Sequence, residues 1–300
     1  MSLYGRIIIM IRYAFFLGCQ IPMRLPNIEI ASRKVFEILG IEAVDLLGCS
    51  CCPEPVISRI LDEASALAIS ARNLTLAEDL GLDMMSLCNG CYETLAEASE
   101  ILKHDVDKRN WVNNILKHYG REYKGKTKVK HVIEVLYEDV GLEKIRKNVV
   151  KPQKIRVALH YGCHLYREYG SSDITRKPKM MRDIATQTGV KVVDYGLERL
   201  CCGYPSMQAD EEFSLKHRLL VKLSKMREVG ADAILTACPA CMIQFEIGQV
   251  MLRSHGIQYN MPCINLMELL ALSFGVPYKD LHLELHRSPV LQLVQRTEAI

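Results

Sequence analysis

Leu200-Cys201-Cys202-Gly203-Tyr204-Pro205 is the stretch that decides the fold. Adjacent cysteines are uncommon, and this pair has company. Thirty-seven residues separate it from Cys163 upstream, and 35 residues separate it from Cys238-Pro239-Ala240-Cys241 downstream. The first half carries the same layout: Cys19, then Cys51-Cys52, then Cys88-Asn89-Gly90-Cys91. Cys51, Cys52, Cys88 and Cys91 recur 150 residues later, and Cys19 recurs 144 residues later as Cys163. Ten of the twelve cysteines therefore form two matching sets of five. The repeated object is a cluster of thiols.

Around these sets the chain has ordinary composition. Its 300 residues are 49% apolar, enough for a substantial core in one large domain or two similar ones. With 24% charged residues and a net charge of +3, nothing points to bulk electrostatic binding of nucleic acid. Disulfide scaffolds belong to short secreted chains. In a chain of this length, Cys-x-x-Cys spacings with strand–helix patterning speak for metal or redox use.

The N-terminus offers a rival. Arg6 precedes an apolar run from Ile7 to Leu17, and Phe16-Leu17-Gly18-Cys19 loosely resembles a lipoprotein cleavage box. Arg12 interrupts that run, which is too short to span a bilayer. Moreover, Arg12-Tyr13-Ala14-Phe15-Phe16-Leu17-Gly18-Cys19 matches Arg156-Val157-Ala158-Leu159-His160-Tyr161-Gly162-Cys163 deep in the chain. A cleaved signal has no reason to recur there, so the run is read as a first strand. Whether Met1 or Met10 is the start stays open. No membrane span is expected, and the expected location is cytoplasmic.

Taken in order, apolar runs at 13–17, 41–47 and 83–87 read as strands ending near Cys19, Cys51 and Cys88. Helices are expected from an Asn27 N-cap to Gly40, over 60–80, and over 92–102. The second half repeats this with strands at 155–160, 191–194 and 233–236 and helices at 179–188, 210–229 and 242–251, followed by a helix at 266–274. The expected fold is α/β: two tandem, repeat-related βα units with parallel sheets, the cysteine loops lying at the carboxyl ends of the strands. The domains are read as 10–102 and 155–275 for the two cysteine-rich units, 103–154 for a charged helical connector, and 276–300 for a tail. In the connector Lys124, Lys126, Lys128 and Lys130 alternate, which suits a solvated link or a docking surface for an acidic partner. Within it, His131 to Tyr137 is apolar enough for a helix packed on the body.

Five sulfurs exceed the four that a structural zinc takes. They suit an iron–sulfur cluster, held by thiolates and able to change oxidation state. Helices starting after Cys91 and Cys241 would turn positive dipole ends toward such a site.

The residues also resemble a known family. The two sets are similar to the cysteine-rich CCG domain, and the chain from about Tyr13 onward resembles the B-type subunit of the CoB–CoM heterodisulfide reductases of methanogens and related anaerobes. The resemblance is carried by Tyr13-Ala14-Phe15-Phe16-Leu17-Gly18-Cys19, Leu87-Cys88-Asn89-Gly90-Cys91-Tyr92, Val135-Leu136-Tyr137-Glu138-Asp139 and Gly162-Cys163-His164-Leu165. It implies two noncubane four-iron (4Fe-4S) clusters. One would be held by Cys19, Cys51, Cys52, Cys88 and Cys91, the other by Cys163, Cys201, Cys202, Cys238 and Cys241. The pattern departs from the generic motif at Pro53, which stands where Gly203 follows the second pair.

The resemblance further implies reduction of CoM-S-S-CoB to CoM-SH and CoB-SH, each cluster taking one sulfur and giving one electron. A small cubane-cluster relay subunit and a flavin subunit are the implied partners. This chain lacks a nucleotide fingerprint of its own. The CCG domain also serves other redox complexes, acting on glycerol-3-phosphate, lactate or glycolate, and succinate or fumarate. A zinc-stabilised, non-catalytic scaffold is a further alternative. Cys49 and Cys263 fall outside both sets and read as small buried residues. His164, Arg167 and, less strongly, Arg24 are candidates for meeting an anionic substrate, with a supporting hydrogen bond near a cluster or an exposed charge as the plainer role.

Overall fold

The computed structural model describes residues 11–55, 57–167 and 173–298; the alternative starts at Met1 and Met10 lie outside these. Two four-stranded sheets repeat one design. In the first half, β1 (Ile11–Phe16), β2 (Ile41–Asp45), β3 (Met84–Ser86) and β4 (Val129–His131) lie in the order β2-β1-β3-β4. In the second, β5 (Arg156–His160), β6 (Lys191–Val193), β7 (Ala233–Thr236) and β8 (Cys263–Asn265) lie in the order β6-β5-β7-β8. Every pairing is parallel. Central strands buried on both faces explain the continuous apolar runs: Tyr13 to Phe16 and all of β7 are buried.

Sequence reasoning found three strands in each half and missed β4 and β8. Each is three residues long and sits at a sheet edge. The segment 103–154 holds helices Val106–Leu116 and Leu142–Asn148 and also contributes β4. Its lysine alternation is a period-two pattern: Lys124, Lys126 and Lys128 are exposed while Tyr123 and Thr127 are buried. Glu78 accepts from the backbone of Lys124 and Lys126, at 2.9 and 2.7 Å, and Asp83 accepts from that of Lys128 at 2.9 Å. Charged side chains on an edge strand also discourage pairing with another chain.

The helices follow the apolar spacing, with local corrections. Helix Pro26–Leu39 buries Ile28, Ala31, Val35, Phe36 and Leu39 and stops at Gly40, whose φ of 68° suits glycine. Asn27 is not its N-cap. Leu25 occupies that position with Pro26 next, and Asn27 instead donates to Glu268 Oε1 at 2.6 Å. The helix expected over 60–80 is divided into Ile57–Leu61 and Glu63–Asp79. Asp62 caps the second part by accepting from the Ser65 amide at 3.1 Å.

One contiguous apolar core runs through both halves. Helix Pro26–Leu39 of the first packs on helix Leu266–Ser273 of the second. At that seam His286 sits fully buried between Glu246 and Glu268, 2.9 Å from each. Because all strands of a sheet run the same way, the loops after β1, β2 and β3 leave from one edge, as do those after β5, β6 and β7. The two cysteine-bearing edges meet.

Candidate metal centre

The thiols converge as the repeat requires. Cys52 Sγ lies 3.0 Å from Cys91 Sγ, and Cys163 Sγ lies 3.9 Å from Cys201 Sγ. Cys88 and Cys238, from opposite halves, interact directly. A cavity of 460 Å³ lies between the halves, and nine of the ten set members line it, Cys201 being the exception. The two sets thus face a shared space.

Local chain geometry places each sulfur. Helices Asn89–His104 and Pro239–Ser254 begin directly after Cys88 and Cys238, which occupy their N-cap positions. The starts therefore come earlier than the spacing suggested, and Cys91 and Cys241 ride in the first turn. The first-turn amides at each helix start lack intrahelical partners and present partial positive charge to the thiols, one fewer at the second helix because Pro239 has no N–H. Gly18 precedes Cys19 with φ +71°, and a Cβ there would stand 2.8 Å from Cys91 Sγ. This is one of the places where only glycine fits.

The donor set fits a polynuclear cationic group. Hydrogen bonds from Cys51 and Cys91 bring Cys52 down to about 4, and those from Cys163 and Cys202 bring Cys201 down to about 2. Their neighbours move the other way. Cys51, Cys88, Cys91, Cys163, Cys202 and Cys241 are all held above the ordinary thiol range, chiefly by hydrogen bonds to adjacent thiolates. Sulfurs this crowded ionise together only around compensating positive charge.

Comparison with known proteins agrees. The cysteine-rich CCG domain matches twice, over residues 13–96 and 157–246. The B-type subunit of a ferredoxin/F420H2-dependent CoB–CoM heterodisulfide reductase from Methanosarcina acetivorans is 38% identical, with 92% of this chain and 93% of that one covered.

This chain belongs to the family of B-type heterodisulfide reductase subunits.

It is an oxidoreductase subunit of the iron–sulfur type. A protein from Archaeoglobus profundus, described as similar to the same B-type subunits, is 37% identical over 89% of this chain and 91% of its own. The 8-methylmenaquinol:fumarate reductase membrane anchor subunit of Wolinella succinogenes is 28% identical over 90% and 95%. Among solved structures, a hypothetical protein from Helicobacter pylori shares the fold with a TM-score of 0.68 at 17% identity. It covers 92% of this chain, which spans about half the length of that one. Among the described residues, no helix is long and apolar enough to cross a membrane.

In this member of the family the two sites differ. Cys51 is exposed and Cys52 half-buried, whereas Cys201 is half-buried and Cys202 buried. Gly203 turns the second loop at φ +99° and its carbonyl accepts from Ser206 and Ser214 Oγ, at 2.9 and 2.8 Å. Pro53, at the matching place, is buried, and its carbonyl accepts from Thr94 Oγ1 at 3.1 Å.

The candidate polar residues separate into two roles. Glu93 holds both His164 and Arg167, accepting from Arg167 at 3.1 Å, and so ties the first half to the second. The Glu93 contact raises His164 despite burial, which acts the other way. His164 still lines the cavity, as does the exposed Arg24. Cys263 is fully buried in β8, its amide donating to Ser288 Oγ at 3.0 Å, and burial pushes its thiol up. Cys49 is half-buried beside Arg72 and outside the cavity. Sequence reasoning missed His160, buried against Cys202 and Cys241. Its one signal was its place inside the repeated stretch Arg156 to Cys163, where the first half has Phe16.

Proposed function

We propose that this chain is the catalytic subunit that cleaves the heterodisulfide CoM-S-S-CoB to CoM-SH and CoB-SH. It would hold two noncubane four-iron clusters, one on Cys19, Cys51, Cys52, Cys88 and Cys91 and one on Cys163, Cys201, Cys202, Cys238 and Cys241. The observation that carries this reading is the single cavity lined by thiols of both sets.

Cleavage of one S–S bond takes up two electrons and two protons and releases two thiols. When bound, each cluster supplies a one-electron change, so a facing pair matches that demand. Ile243, Ile247, Met251 and Met207 give the cavity apolar walls. Arg24 offers a guanidinium to the sulfonate, carboxylate or phosphate ends of the substrate. His164, fixed by Glu93, places a polar ring beside the thiols. Electrons would arrive from a cubane-cluster relay subunit fed by a flavin subunit, in the cytoplasm. A second reading, an electron-transfer subunit of a fumarate-reducing complex, is favoured by the Wolinella relative.

Purification without oxygen, with iron, acid-labile sulfide and zinc measured per chain, tests the site. About eight irons with matching sulfide are expected for two four-iron clusters. Reduction of CoM-S-S-CoB by a reduced dye then tests the substrate. Zinc in place of iron after anoxic reconstitution overturns the proposal. Clusters without disulfide cleavage would leave the electron-transfer reading.

A further inference from the structure

His160 ends β5 and is fully buried. A ring nitrogen, Cys202 Sγ and Cys241 Sγ all lie within 4.8 Å of one another. Neither ring nitrogen has a hydrogen-bond partner among the described residues. An unsatisfied buried polar group costs about 1–3 kcal/mol, so an orphaned imidazole against two thiols points to something it is meant to meet. The ring is braced edge-on against Phe245, centroids 4.9 Å apart, and is not free to turn toward solvent.

The repeat makes this placement one-sided. Phe16 stands where His160 does, 144 residues earlier, in the stretch aligned by Arg12 with Arg156 and Cys19 with Cys163. Phe16 is equally buried but has no polar atom to offer. A second difference lies on the same side. Lys222 is fully buried, donates to the Leu197 carbonyl, and is near enough to Cys202, Cys241 and Cys201 to feel their charge. Its counterpart 150 residues earlier, Arg72, directs its guanidinium to the Gly48 carbonyl at 2.7 Å, away from the cavity.

We infer that His160 donates a ring N–H to the sulfurs of the second cluster, making that cluster easier to reduce than the first. This rests on the two-cluster reading above. A donor placed beside cluster sulfur, with an ammonium behind the same thiols, favours the more negative reduced state; hydrogen bonds and net charge are among the chief settings of cluster potential. The apolar Phe16 gives the first cluster no such help. The second cluster is then where an incoming electron settles, and the first is the stronger reductant. His160 acts here as a tuning residue.

The test uses the chain purified without oxygen, with iron counted and each cluster titrated under paramagnetic resonance. In wild type, two distinct midpoint potentials are expected. His160→Phe should lower the upper one by at least a tenfold change in the one-electron equilibrium, about 59 mV, and leave the other in place. His160→Gln, which keeps an N–H donor, should retain most of the wild-type value. Pulsed resonance should show an exchangeable proton coupled to the second cluster, lost in His160→Phe. If His160→Phe fails to load iron, the wild-type chain decides: an exchangeable proton coupled to the second cluster and not to the first supports the inference, and its absence overturns it. Full iron with unmoved potentials in both variants overturns it, as does a strong nitrogen coupling from an iron–imidazole bond. A wild-type chain without about eight irons overturns the two-cluster reading and this inference with it.

Discussion

Asn89 donates its side-chain amide to the carbonyl of Tyr161 at 2.7 Å. Asn89 lies inside the first Cys-x-x-Cys, and Tyr161 lies two residues before Cys163, so one thiol loop is bonded to the other. The contact is buried and lies where the halves meet. A Cβ on Gly162 would stand 2.6 Å from that same amide nitrogen, so the approach is as close as the chain permits. Asn89→Ala leaves a buried carbonyl without its donor. It should destabilise the protein by about 1–3 kcal/mol in urea unfolding and lower disulfide turnover while iron content stays near wild type. Unchanged stability would mean that this hydrogen bond adds nothing to the other contacts between the halves, among them Asn27 with Glu268 and Glu93 with Arg167.

Gly203→Ala tests the second loop. At φ +99° a side chain is strained, and the new Cβ would lie 2.8 Å from Ser214 Oγ and 3.1 Å from the Ser214 carbonyl. The Cys201-Cys202 pair must shift in response. About half the iron should be lost, the first set being untouched, as read by iron analysis against total protein.

Cys202 and Cys263 are both buried thiols, and they should respond differently. Cys202→Ala should remove the cluster signal of the second half and abolish turnover. Cys263→Ala should keep all the iron and cost about 1 kcal/mol, the scale of removing a small buried group from a packed strand. Iron loss in Cys263→Ala would place that residue among the ligands.

His286 gives the chain a pH signature. Held between Glu246 and Glu268 it is raised to about 10, the carboxylates overcoming burial, which lowers it. A raised folded value means that the folded state holds the proton more tightly than the unfolded one. Its contribution is complete below the ordinary histidine value near 6.5 and fades as pH rises through about 10. The urea midpoint of wild type should therefore fall toward His286→Gln between those limits. Comparing the two chains at each pH cancels the other titrating groups.

The cysteine repeat and the central strands were plain in the sequence because both rest on strong local signals: spacing for one, unbroken apolar runs for the other. The edge strands were hidden. Val129–His131 is flanked by exposed lysines and owes its place to backbone pairing with β3 and to Asp83 and Glu78, none of them near it in sequence. Asn27 looked like a helix cap because the local rule favours it there, but a partner 241 residues away claims its side chain. Glu93 gave no signal at all, since its two partners lie in the other half. His160 was visible as a letter and not as a neighbour of sulfur, for only the folded chain sets it against Cys202 and Cys241.

The unequal burial of the two cysteine pairs bears on how the protein would age in air. Dioxygen and peroxide attack sulfur where solvent delivers them, and Cys51 stands in solvent while its counterpart Cys201 is half-buried. Oxidative decay should then begin in the first half and reach the second late. A brief exposure would leave a half-emptied chain, with one cluster surviving and no partner to complete a two-electron reaction.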